Sequence, residues 1–188
     1  MPLPKELEYV LAASKLVEQH YYRPVGIGNN QNEINHAGEG HYTLGLVLQL
    51  ETLKPEYGDN ERLIWQYDIP KVRANDIQPD LVFHDPADGR PDQRIYIEIK
   101  TDPGTTDARY NSDLEKLIRA VSPNDTNGPL LGFSFGIFLV GNKQLNQLET
   151  LIRNMRTNIG GLAEKLYLIY FDRAAYDPKI KCFTDILI

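Results

Sequence analysis

The stretch Arg94-Ile95-Tyr96-Ile97-Glu98-Ile99-Lys100 alternates without a break between isoleucine and a polar or aromatic residue. A β-strand points successive side chains to opposite faces, so Ile95, Ile97 and Ile99 share one face and Tyr96, Glu98 and Lys100 the other. One strand therefore projects a carboxylate and an ammonium together. Upstream, Ile77 to His84 reads as a second strand, with Asp80 and Val82 on one face and Leu81 and Phe83 opposite. Asp85, Pro86, Asp88, Gly89 and Pro91 build a turn between the two. If the strands pair about that turn, Asp80 stands beside Glu98 at one end of a sheet.

Working outward, Leu63 to Ile69 is aromatic and β-branched and ends at Pro70, which makes a third strand and a sequential antiparallel meander. Lys5 to about Tyr22 keeps helical spacing through Leu7, Val10, Leu11 and Val17, as a peripheral helix. Tyr42, Leu46, Leu50 and Leu53 mark a longer helix ended by Lys54 and Pro55. Beyond the meander, Asn111 to Val121 is an amphipathic helix, Ser122 to Gly132 a loop, Phe133 to Val140 a strand, Lys143 to about Asn158 a helix and Leu166 to Phe171 a strand. The last residues give no assignment. The order α-α-β-β-β-α-β-α-β predicts an α/β (α+β) fold, a mixed β-sheet flanked by helices, because helical crossovers favour parallel neighbours and the meander supplies antiparallel ones.

The chain has 188 residues, 41% hydrophobic and 24% charged, which suits a single globular domain over 1–188 with no linker or repeat to divide it. Twenty basic residues against 26 acidic ones leave a net charge of −6, so no global cationic field holds polyanions and any nucleic-acid contact must be local. The single cysteine, Cys182, excludes an intramolecular disulfide and a Cys-rich zinc site. With charges throughout the first helix and no long apolar run, the expected setting is the cytoplasm, with no membrane contact.

Two close carboxylates raise each other's pKa unless a cation is present, and a divalent metal resolves that repulsion. Mg²⁺ takes hard oxygen ligands and keeps several waters, so Asp80, Glu98 and a backbone carbonyl would complete a shell with a substrate phosphate oxygen. Lys100, on the same face as Glu98, is placed to position the attacking water or to stabilise charge developing on the phosphate. Alternating charges of this kind also occur on exposed sheet edges.

Pro79-Asp80, seventeen intervening residues and then Glu98-Ile99-Lys100 within a hydrophobic strand resemble the signature of the PD-(D/E)XK nucleases, the family of many restriction endonucleases and of archaeal Holliday-junction resolvases. The order of elements is similar from about residue 33 to 140, with the N-terminal helix and the final helix and strand as additions. The resemblance implies a restriction-endonuclease-like core and hydrolysis of DNA phosphodiester bonds with Mg²⁺, for which Mn²⁺ substitutes. Asp80 and Glu98 would ligate the metal with the Ile99 carbonyl, Lys100 would assist the water, and a glutamate of the preceding helix would help. Family members of this size often act as dimers, which implies a homodimer. A catalytically idle member of the fold, serving as a nucleic-acid-binding or protein-interaction module, is the alternative.

For the helix acid, Glu39 has Tyr42, Leu46, Leu50 and Leu53 in phase and so lies on the apolar stripe, whereas Glu33 reaches only Ala37, His41 and Leu44. Glu39 is the preferred candidate. A second Pro-Asp pair, Pro91-Asp92, lies too close to Glu98 to sit on a separate paired strand. His36 and His41 are not spaced as a helical zinc pair, no dinucleotide or P-loop fingerprint occurs, and Ser134 between Phe133 and Phe135 reads as core strand rather than a nucleophile turn. Arg109, Lys116 and Arg119 on one helix, and Lys143, Arg153 and Arg156 on another, are candidates to meet phosphates, and Tyr96 is the tyrosine placed beside the site.

Overall fold

The computed structural model describes residues 3–21, 39–57, 64–67, 78–84, 93–101, 105–122, 132–141, 143–172 and 177–188. Among the described residues a six-stranded sheet runs in chain order from β1 (Ile64–Tyr67), β2 (Leu81–His84) and β3 (Gln93–Lys100) through β4 (Phe135–Val140) and β5 (Leu166–Asp172) to β6 (Asp177–Cys182). β1, β2 and β3 form the antiparallel meander, β4 and β5 continue it in parallel, and β6 returns antiparallel. Helix α3 (Asp107–Val121) makes the first parallel crossover. α4 (Leu145–Asn154), the short α5 (Arg156–Ile159) and a 3₁₀ turn at Gly160–Lys165 make the second. The architecture is a mixed α/β fold whose central sheet is flanked by helices.

The alternation in β3 divides the core in two. Ile95, Ile97 and Ile99 pack with Leu81, Phe83, Ile137 and Leu139 under α1 (Lys5–Tyr21) and α2 (Glu39–Tyr57). Tyr96 packs with Val82, Phe138 and Val140 under α3, α4 and α6 (Phe183–Leu187). The strand β4, Phe-Gly-Ile-Phe-Leu-Val, is apolar throughout because both of its faces are covered. Gly136 in it sits at a close approach: a Cβ there would lie 3.0 Å from Leu117 Cγ and from Leu166 Cδ2, so those side chains would have to give way.

Several boundaries differ from the sequence reading. α1 is not peripheral, since Leu7, Val10, Ala13 and Val17 are fully buried, and the neutral Ser14 on that stripe satisfies itself by donating to the Val10 carbonyl at 2.8 Å. α2 continues past Pro55 to Tyr57, because a proline in the last turn removes only one intrahelical bond. β2 begins at Leu81 rather than Ile77, and α3 begins at Asp107, which brings Tyr110 into the core. The helix expected from Lys143 to Asn158 is broken at Met155. The unassigned tail forms β6 and α6. Its Asp-Pro-Lys-Ile-Lys-Cys sequence is polar because β6 is an edge strand, where a proline and outward lysines are tolerated. Among the described residues no helix is long and apolar enough to cross a membrane.

Candidate functional site

The antiparallel register sets Leu81 opposite Ile97 and Val82 opposite Tyr96. Extended past the last pair, that register would carry Asp80 toward Glu98 and Pro79 toward Ile99. The ladder stops at Leu81, and the Ile99 N–H donates instead to Asp80 Oδ2 at 2.6 Å. Asp80 is thereby fixed against β3 between Glu98 and Lys100.

Helix α3 closes the site from above that face. Lys100 Nζ donates to the Ile99 carbonyl at 2.9 Å and lies 3.2 Å from Asp113 Oδ2 and 4.0 Å from Asp80 Oδ2. Asp113 Oδ1 takes Lys116 Nζ at 2.6 Å, one turn along the helix, and the same ammonium reaches Glu98 Oε2 at 3.3 Å. Glu98 Oε1 accepts the Tyr96 hydroxyl at 2.7 Å. Glu98 is fully buried, and Asp113 and Lys100 are nearly so. Three carboxyl groups thus share two ammonium groups.

Burial, and the excess of carboxyl over ammonium groups, make Glu98 and Asp80 resist ionisation. Burial pushes the Glu98 carboxyl well above the usual carboxylate range, and Asp80 adds to this, while Lys116 and the Tyr96 hydroxyl pull the other way. Asp80 is also raised by burial, against the opposing pull of Lys100 and of the Ile99 N–H. Burial raises the Tyr96 hydroxyl strongly, with Glu98 reinforcing it, so it remains a donor. For Lys116, burial alone would lower the pKa, but Glu98 and Asp113 outweigh it and the ammonium is held above its ordinary value.

The structure therefore gathers Asp80, Glu98 and Lys100 at one end of the sheet. Glu39 is the first residue of α2, with its side chain outside the described ones, and Glu33 and Pro91-Asp92 lie outside the described residues. The stripe of Tyr42, Leu46 and Leu50 packs on the isoleucine face, the layer opposite Glu98 and Lys100. Tyr96 is fully buried, edge-on to Phe133, and serves Glu98 rather than offering a stacking surface. Lys143 is held by Asp107 at 2.7 Å, Arg153 donates to the Ile186 carbonyl at 3.0 Å, and Arg156 donates to the Leu187 carbonyl. The two arginines cap the C-terminus of α6, as cations do at a helix end.

Asp113 was missed in the sequence. Its signal was present: it follows Tyr110 by three residues and precedes Leu117 by four, which puts an acid on the buried stripe of an amphipathic helix. Such an acid needs a cation beside it, and the lysine three residues on supplied one.

The donor chemistry fits a hard divalent cation, since Mg²⁺ needs only one or two protein carboxylates and completes its shell with water. Asp80 and Glu98 would be those carboxylates; both Glu98 oxygens now accept from Tyr96 and Lys116, and the Ile99 carbonyl expected to join them accepts the Lys100 ammonium. Among the described residues no group of three or more histidine, cysteine, aspartate or glutamate side chains is gathered as a metal cage. No family model, curated protein or solved structure matches this chain.

Proposed function

We propose that the chain is a metal-dependent nuclease with a restriction-endonuclease-like core of the PD-(D/E)XK type, hydrolysing DNA phosphodiester bonds at Asp80, Glu98 and Lys100. The observation that carries the reading is the fully buried Glu98 in a cluster with Asp80 and Asp113 that has more carboxyl groups than ammonium groups. A buried acid without full charge compensation costs stability, and such arrangements concentrate at functional sites.

In this reading Asp80 and Glu98 would hold Mg²⁺, which when bound would supply Lewis-acid polarisation of the phosphate and a more acidic water. Asp80 is oriented for this by the Ile99 N–H, and Glu98 by the Tyr96 hydroxyl. Lys100, held by Asp113 and the Ile99 carbonyl, directs its ammonium to the attacking water or to a phosphate oxygen. Glu98 and Lys100 are buried beneath α3, which strengthens their interactions, while Asp80 and Lys116 stay partly open to solvent.

Purified protein should nick or cut DNA with Mg²⁺ or Mn²⁺, stop on chelation, and bind Ca²⁺ with little cleavage. Absence of cation-dependent cutting from a folded preparation refutes the reading. The helix acid is tested by comparing Glu39→Gln with Glu33→Gln, with the larger loss expected from Glu39→Gln; equal, undiminished cutting by both would leave α2, whose apolar stripe packs on the far layer, out of the chemistry.

A second reading has its own observation. Both oxygens of Glu98 already have donors, in Tyr96 and Lys116, so the cluster is a self-contained network as it stands. A catalytically idle module that binds nucleic acid or protein would have such a network, and its ligand binding would be indifferent to divalent cations.

A further inference from the structure

We propose that Lys116 is a built-in counter-ion for Glu98, which a divalent cation must displace to bind, so that this lysine sets the threshold of cation affinity. The inference builds on the metal-dependent reading of the same site and assigns the role of a residue on α3 that the motif does not contain.

Glu98 is fully buried, and an ionised carboxylate left there without a cation is strongly destabilising. Lys116 meets that need, but unequally: its ammonium is 2.6 Å from Asp113 and 3.3 Å from Glu98. Asp113 is the fixed anchor, one turn away on the same helix, and the Glu98 contact is the longer one, the one to give way. The Lys116 side chain is 32% exposed, so it has solvent to retreat into. Lys100 does not share this freedom, being 11% exposed and held by both Asp113 and the Ile99 carbonyl. The two lysines therefore differ in kind. Lys100 stays in place whatever occupies the site, and Lys116 exchanges with the cation while remaining on Asp113.

The test is Mn²⁺ titration by calorimetry and by electron paramagnetic resonance, with thermal melts in chelator and in Mn²⁺, on the parent, Lys116→Met and Lys116→Arg. Lys116→Met should bind Mn²⁺ about tenfold tighter or more, each tenfold corresponding to about 1.4 kcal/mol. It should melt lower than the parent in chelator and regain the difference with Mn²⁺. Lys116→Arg, whose planar fork can span Glu98 and Asp113 together, should bind Mn²⁺ more weakly than the parent. If Lys116→Met folds only with Mn²⁺, the arginine variant carries the comparison. Equal affinities across the variants, or no binding by any of them, overturn the proposal. Tight Mn²⁺ binding by Lys116→Met without DNA cleavage by any variant refutes the nuclease reading and leaves the counter-ion role intact.

Discussion

Asp80 and Ile99, nineteen residues apart, are joined by a 2.6 Å hydrogen bond in which a backbone N–H of β3 donates to a carboxylate at the entrance of β2. The bond does two things at once. It satisfies an N–H just beyond the end of the ladder, and it fixes the carboxylate against the strand that carries Glu98 and Lys100.

Asp80→Ala should therefore lose both stability and cleavage. A hydrogen bond to a charged group contributes about 1.5–3 kcal/mol, and urea denaturation should show a loss in that range. Asp80→Asn keeps an acceptor for the Ile99 N–H and should recover most of the stability while remaining inactive. An Asp80→Ala protein as stable as the parent would contradict the anchoring.

Lys100→Met separates binding from chemistry. Cleavage should fall by about 10²-fold or more, the ordinary contribution of a positioned proton-transfer or charge-stabilising group. Mn²⁺ should still bind, since Lys100 is no ligand in this reading. Single-turnover cleavage beside a Mn²⁺ titration checks both, and undiminished cutting would remove Lys100 from the site.

The direction of the Glu98 shift fixes a pH dependence of stability. With its folded pKa above its unfolded one, Glu98 keeps its proton to a higher pH in the folded protein than in the unfolded chain. The window opens at about pH 4.3, the ordinary glutamate value, and extends up to the raised folded value; across it, stability falls as pH rises. Asp80 contributes in the same sense. In chelator, the stability of the parent relative to Glu98→Gln should decline from pH 5 to pH 7.5. A relative gain over that range would show that Glu98 is better compensated than the cluster implies.

Gly136→Ala tests the packing that holds α3 over the sheet. The added methyl would press on Leu117 and on Leu166 at 3.0 Å, and overpacking of this kind costs about 1–3 kcal/mol. Urea denaturation should register that loss, and Mn²⁺-dependent cleavage should weaken with it, because Leu117 and the residues Asp113 and Lys116 ride on one helix. A neutral effect on both would mean that α3 is free to shift away from β4.

The sequence by itself determined the alternation in Ile95 to Lys100, and with it the division of β3 into an apolar face and a face carrying Tyr96, Glu98 and Lys100. A strand has a period of two whatever surrounds it, so this much is local. The meander, the crossover helices and the mixed sheet followed from the same kind of local pattern. Tertiary structure decided the rest. Whether Asp80 met Glu98 depended on the register of β2 against β3, which a single-residue slip would have reversed. The pairing of Asp113 with Lys100, and of Lys116 with Glu98, depended on how α3 lies across the sheet, a rotation and distance set by Leu114, Leu117 and Gly136 packing together. The tail gave no signal because β6 is an edge strand whose polar residues face water, and only pairing with β5 makes it a strand. Pattern along a chain records what each element must bury; which charges then meet is fixed by packing between elements.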